Sequence, residues 1–137
     1  MSLSAINHPS VTTAPWGSGQ PIPGTPFRQL VTGAATEGRM VVLEVDMPVG
    51  ERVAEHTHEG EDQICVVVSG KVGGTVGDRE VLLTDGSVYF FPRGVPHTLW
   101  NAGDEVARLL DIYTPAGFEK VFELAGAGAG AAGRPQS

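Results

Sequence analysis

The chain has 137 residues, the size of one ordinary domain, and its nine basic and sixteen acidic side chains give a formal charge of −7. That balance argues against unspecific binding to nucleic acid or anionic lipid, which both need excess positive charge, so neither is an expected partner. Nineteen glycines, ten prolines and only 18% charged residues describe short strands joined by tight turns rather than a helical bundle. The single cysteine, Cys65, excludes an intrachain disulfide framework and a multi-cysteine zinc site. No run approaches the ~18 apolar residues of a membrane span. The stretch before the first basic residue, Arg28, lacks the charged and apolar regions of a signal peptide. A soluble cytoplasmic protein is the expectation.

In chain order, residues 1–26 carry Pro9, Pro15, Pro21, Pro23 and Pro26, which rules out a helix or a central strand. The segment is an extended arm or a tail, and its His8 and Trp16 are expected to lie away from any chemistry. Strands are predicted over 39–46, 63–69, 71–76, 79–83, 88–91 and 106–113, with turns at 47–50, 77–78 and 101–104. Thr114 suits a helix N-cap and Pro115 the first helical position, while Phe118, Val121, Phe122 and Ala125 share one face. A short C-terminal helix is therefore predicted. The chain divides into an arm (1–26), a barrel with its terminal helix (27–126) and a low-complexity tail (127–137). Many short strands and one late helix define an all-β barrel or sandwich.

Over 63–69 the alternation puts Gln63, Cys65, Val67 and Ser69 on one face and Ile64, Val66 and Val68 on the other. Both faces are substantially apolar, so both should be covered. A small closed barrel covers only its inside, so the outside needs a second sheet, the terminal helix or another subunit, and a homodimer is the favoured expectation.

Three histidines carry the chemistry. On an extended segment His56 and His58, two apart, project to the same side, and His97 follows the proline- and glycine-rich turn 92–96. Imidazole suits zinc, copper, iron, nickel and manganese. Alone, the pair also fits two solvated histidines in a loop rich in Glu55, Glu59, Glu61 and Asp62. The spacing says more. From Gly50, five residues precede His56, one precedes His58, four precede Gln63 and six precede Gly70. After a further 15 residues, Gly86 is followed at gaps of five, one, two and three by Pro92, Gly94, His97 and Asn101.

This spacing resembles the two motifs of the cupin superfamily at nine of ten fixed positions across residues 50–101. The stretch continuing to Phe118 is similar to the small single-domain, quercetin-dioxygenase-like cupins. The resemblance implies a double-stranded β-helix, or jelly-roll barrel, holding one divalent metal (Fe, Mn, Ni, Co or Zn). The implied ligands are His56, His58, the side chain at 63 and His97. Position 63 is the departure: the family pattern has glutamate and this chain has Gln63. An amide oxygen can still bind a metal, as in a manganese hydroxynitrile-lyase group of cupins, but it brings no charge. Three alternatives stay open: Asp62 turned inward, three histidines completed by water, and no metal.

Cys65, Val67, Tyr89, Phe91 and Leu99 are the candidate pocket-lining residues, although Cys65 reads better as a buried small apolar filler. Trp100 should point outward, and Arg28, Arg52 and Arg93 should lie at the surface. The resemblance implies a dioxygenase-type oxidoreductase acting on a small enolic or phenolic substrate. Gln63 counts against that reading, because it cannot accept a proton as glutamate would. The alternatives are a lyase, isomerase or hydrolase using the metal as a Lewis acid, and a non-catalytic small-molecule or metal-binding module.

Overall fold

The computed structural model describes residues 14–120. His8 and the helix positions Val121, Phe122 and Ala125 lie outside them. The strands are β1 (Gln20–Pro21), β2 (Phe27–Val31), β3 (Val41–Met47), β4 (Arg52–His56), β5 (Asp62–Ser69), β6 (Val72–Val76), β7 (Arg79–Leu83), β8 (Val88–Phe91), β9 (His97–Asn101) and β10 (Ala107–Thr114). They form two antiparallel sheets, a six-stranded one in the order β1-β2-β3-β10-β5-β8 and a four-stranded one in the order β4-β9-β6-β7. This is the double-stranded β-helix. Among the described residues no helix is long and apolar enough to cross a membrane.

Period-2 burial builds the interior. Val41, Leu43, Val45 and Met47 of β3 face inward, as do Cys65 and Val67 of β5, Tyr89 and Phe91 of β8, and Leu99 of β9. On β10 the inward positions are Ala107, Leu109, Asp111 and Tyr113, so one acid sits in an otherwise apolar row. Gly70 and Gly94 hold positive φ (112° and 78°), which a side chain would strain. At Gly70 a Cβ would also come within 2.9 Å of Ala107.

Two strands that position the site, β2 and β4, escape sequence reading. The faces of β2 and β4 are mixed, with β4 largely exposed, so neither shows clean alternation. The strand β9 follows directly on the turn that precedes it.

The predicted C-terminal helix is not found at Thr114. That residue ends β10, and the chain bends at Pro115 and Ala116 before Phe118. Pairing with Asp62 on β5 claims Thr114 for the sheet, which overrides its capping propensity. Among the described residues at this end, only Glu119 and Lys120 are helical.

The described part of the arm is laid on the sheet. Buried Glu44 accepts hydrogen bonds from the backbone of Gly17 (2.7 Å) and Gly19 (2.9 Å) and from Arg28 Nε (2.9 Å). Burial works to raise this carboxyl, and the three donors outweigh it and hold it below the usual carboxylate range. Arg28 is thus not a solvated surface group. It pairs with Glu44 and, at 3.4 Å, with Asp46. Trp100 points outward but is not bare, because it lies beside Gly73 with the Arg52 guanidinium 4.6 Å from its ring centre.

The outer face of β5 and β8 remains apolar and open. Ile64, Val68, Val88 and Phe90 are all more than a third exposed, and Ile64 lies opposite Phe90.

Candidate metal centre

A bulge builds one side of the site. Strand β4 runs opposite β9 with Val53 facing Leu99 and His56 facing His97, so three steps on β4 match two on β9. Simple alternation from Val53 would put His56 on the outer face. The extra residue reverses that parity and brings His56 beside His97. His58 follows in the connection to β5, where its carbonyl accepts a 2.8 Å hydrogen bond from the Gly94 N–H. The two motifs are thereby tied together through the backbone.

The three rings converge. Their centroids are 4.3 Å apart for His56–His97, and 4.9 Å apart for both His56–His58 and His58–His97. One potential ligand atom from each lies within 4.8 Å of the others. His58 and His97 are buried. His56 Nδ1 lies 2.8 Å from the Ala54 carbonyl, and His97 Nδ1 lies 3.2 Å from the Val95 carbonyl. A carbonyl only accepts, so both rings carry their proton on Nδ1 and leave the Nε2 lone pair free.

Gln63 joins them on β5. Among the described residues, the buried side-chain nitrogen and oxygen atoms without a hydrogen-bond partner are His58 Nδ1, His58 Nε2, His97 Nε2 and Gln63 Oε1. All belong to this one cluster. Three imidazoles and an amide oxygen are a donor set that fits a divalent transition metal. Asp62, the alternative fourth ligand, faces away. It accepts hydrogen bonds from the Arg93 backbone N–H (3.0 Å) and from the Arg93 guanidinium (3.2 and 3.3 Å). The register therefore turns Gln63 inward and Asp62 outward, and Arg93 is an ion-pair partner rather than a free surface group.

Beside the rings lies a cavity of about 290 Å³. Phe91 and Leu99 line it as expected from the sequence. Cys65, Val67 and Tyr89 do not. They are buried in the main core cluster, with Tyr89 Oη donating to the Val72 and Val81 carbonyls at 3.3 Å. Their parity is inward as read, but the floor of the barrel below the cavity takes them. Phe118 also lines the cavity and stands edge-on to His58 with centroids 4.0 Å apart, while Phe91 stacks on His97 at 4.2 Å.

Sequence reading missed Asp111. It is 4% exposed, borders the cavity and accepts a 3.0 Å hydrogen bond from Gln63 Nε2. Burial pushes its carboxyl up to about 6, against hydrogen bonding from Cys65 and Gln63. The signal was available: an acid at the parity of Leu109 and Tyr113 marks a buried charge.

This double-stranded β-helix gathers three imidazoles inside the barrel, an arrangement that could hold a metal ion. The cupin domain profile matches residues 43–113, more than half of the chain, and the protein belongs to the cupin family. Among solved structures it is similar to a predicted oxalate decarboxylase from Thermotoga maritima, with 23% identity and a TM-score of 0.62 over 65% of this chain and 78% of that one. It is similar to KdgF from Halomonas sp., with 18% identity and a TM-score of 0.62 over 69% and 81% of the two chains. A third structure, the protein TT1209 from Thermus thermophilus, is 33% identical with a TM-score of 0.54 over 57% and 74%. No curated protein matches the chain significantly.

Burial first, and then the neighbouring histidines, lower His58 to about 3 and His97 to about 4 from an ordinary 6.5. The Gln63 side chain beside His58 opposes that shift. Depressed values mean that both rings stay neutral, and able to bind a metal, well below pH 6.5. The stability they contribute is fully present above 6.5 and is lost as the pH falls from there toward 4, because the unfolded chain takes up protons that the folded rings refuse. In the metal-free protein, the ring-proton NMR signals of His58 and His97 should stay flat from pH 8 to 5. Titration of either signal near 6.5 would show that ring to be solvated.

Proposed function

We propose that the protein is a metal-dependent oxidoreductase of dioxygenase type acting on a small enolic or phenolic compound. The observation that carries this reading is the convergence of three imidazoles and one amide oxygen, with unpartnered buried donor atoms among them, beside an apolar cavity. His56, His58, His97 and Gln63 would hold one divalent metal. When bound, that metal supplies Lewis acidity at a substrate oxygen and, if redox-active, a route for electrons to dioxygen. Phe91, Leu99 and Phe118 exclude water and match a flat, largely apolar substrate of modest size. We place the reaction in the cytoplasm, in keeping with a buried thiol, Cys65, that has no disulfide partner.

A second reading is favoured by one feature of the site. With Gln63 in place of the expected glutamate, all four donors are neutral and a bound cation keeps its full charge. That suits non-redox lyase or isomerase chemistry, in which carbonyl polarisation is the main demand. Metal supplied to the purified protein under air should support oxygen uptake with a diketone, phenol or flavonol. Turnover that continues without oxygen would replace the first reading with the second. Elemental analysis should find close to one metal per chain, and His97→Ala should lose it while keeping its β-sheet circular dichroism. Full metal retention in that variant would remove the site from consideration.

The partner we propose is a second copy of the chain, packed over the outer face of β5 and β8. Ile64, Val68, Val88 and Phe90 form an uncharged patch on a chain of charge −7, so self-association there brings no like charges together. Sedimentation at micromolar concentration should find a dimer that Phe90→Lys dissociates. A monomeric parent protein would contradict this.

A further inference from the structure

The metal-centre reading leaves a carboxylate unexplained. Asp111 is buried on β10 opposite Cys65, in a row otherwise filled by Ala107, Leu109 and Tyr113. Burying an acid is costly, and Asp111 is met by the Cys65 thiol opposite it and by the Gln63 amide at 3.0 Å. A carboxylate oxygen only accepts, so it selects the NH₂ side of that amide. The oxygen side is left over, and Gln63 Oε1 is buried without a hydrogen-bond partner.

The two sides of an amide are not equivalent toward a cation. The oxygen carries free lone pairs, whereas the NH₂ group presents protons. An unrestrained glutamine can offer either side, and only one of them is useful. Glutamate has no such problem, because its two oxygens are alike. A glutamine at this position therefore needs a neighbour that reads its orientation.

We propose that Asp111 is the positioning residue of the centre: it holds the Gln63 NH₂ so that Oε1 faces the imidazoles. It also supplies, one residue removed, the negative charge that Gln63 lacks. The inference rests on the proposed metal centre. It makes Gln63 and Asp111 a matched pair, in which the amide is tolerated as a ligand because a carboxylate stands behind it. The converse pairing should also work, with a carboxylate as ligand and an amide behind it. Two carboxylates at this separation should not, since like charges so close oppose joint ionisation.

The test is a double-variant cycle on the full chain, read as Mn(II) affinity by calorimetry and as the Mn(II) electron paramagnetic resonance spectrum. Asp111→Asn should weaken Mn(II) binding by about 10–100-fold, the usual penalty for losing a group that orients a ligand. Gln63→Glu alone should also weaken it. The double variant Gln63→Glu with Asp111→Asn should bind more tightly than either single variant, because the amide introduced on β10 can donate to the carboxylate introduced on β5. A merely structural role for Asp111 predicts no such rescue.

Wild-type affinity in Asp111→Asn, or a double variant no tighter than the single ones, would overturn the proposal. If Asp111→Asn fails to fold, the unaltered chain still decides. The Gln63 side-chain amide protons should then exchange slowly with solvent, and fast exchange overturns the proposal. Retention of Mn(II) by His97→Ala would instead overturn the metal centre itself, so the two failures are distinguishable.

Discussion

The structure turns on one constraint: polar atoms without partners are gathered in the interior at a single point. A buried donor or acceptor left unsatisfied costs about 1–3 kcal/mol, and folded proteins keep such atoms few. Here those identified among the described residues are nitrogens of His58 and His97 and the oxygen of Gln63, all in one cluster. The backbone is committed to this arrangement. A bulge in β4 turns His56 inward, Gly94 ties the His58 carbonyl to the second motif, and the register of β5 with β10 sends Gln63 in and Asp62 out. One His58 nitrogen carries a proton, so the cluster offers three buried lone-pair atoms, which one cation would satisfy together.

The electrostatics follow from the same arrangement. Backbone carbonyls fix the Nδ1 protons of His56 and His97, and burial keeps His58 and His97 neutral far below their ordinary range. The nitrogens are thus held in the protonation state that a metal would need. Charge is kept one step back, on Asp111, where it can act on the site through the Gln63 amide. Elsewhere the same device serves stability alone. Buried Glu44 collects two backbone N–H groups and Arg28, and so fastens the arm to the six-stranded sheet.

Much of this was legible in the sequence, for identifiable reasons. Short strands and turn glycines gave an all-β barrel or sandwich, and the motif spacing, through its resemblance to the cupins, implied the jelly roll and the converging histidines. Parity gave the inward set on β5 and β8. It could not give depth along the strand, so Phe91 reaches the cavity while Tyr89 and Cys65 fill the floor. Thr114 and Pro115 carried a real helix-start signal, which sheet pairing with Asp62 overrode. The burial of Asp111 was readable from its parity with Leu109 and Tyr113, but its role depends on a cross-strand neighbour 48 residues away, which no local pattern reports.

Three imidazoles and one oxygen should surround a single ion. X-ray absorption at the metal edge of the zinc-loaded protein tests this most directly. The zinc should be ringed by three imidazoles at about 2.0–2.1 Å, together with light-atom oxygen scattering and no sulfur. A shell with fewer than three imidazoles, or one containing the Cys65 sulfur, would contradict this arrangement.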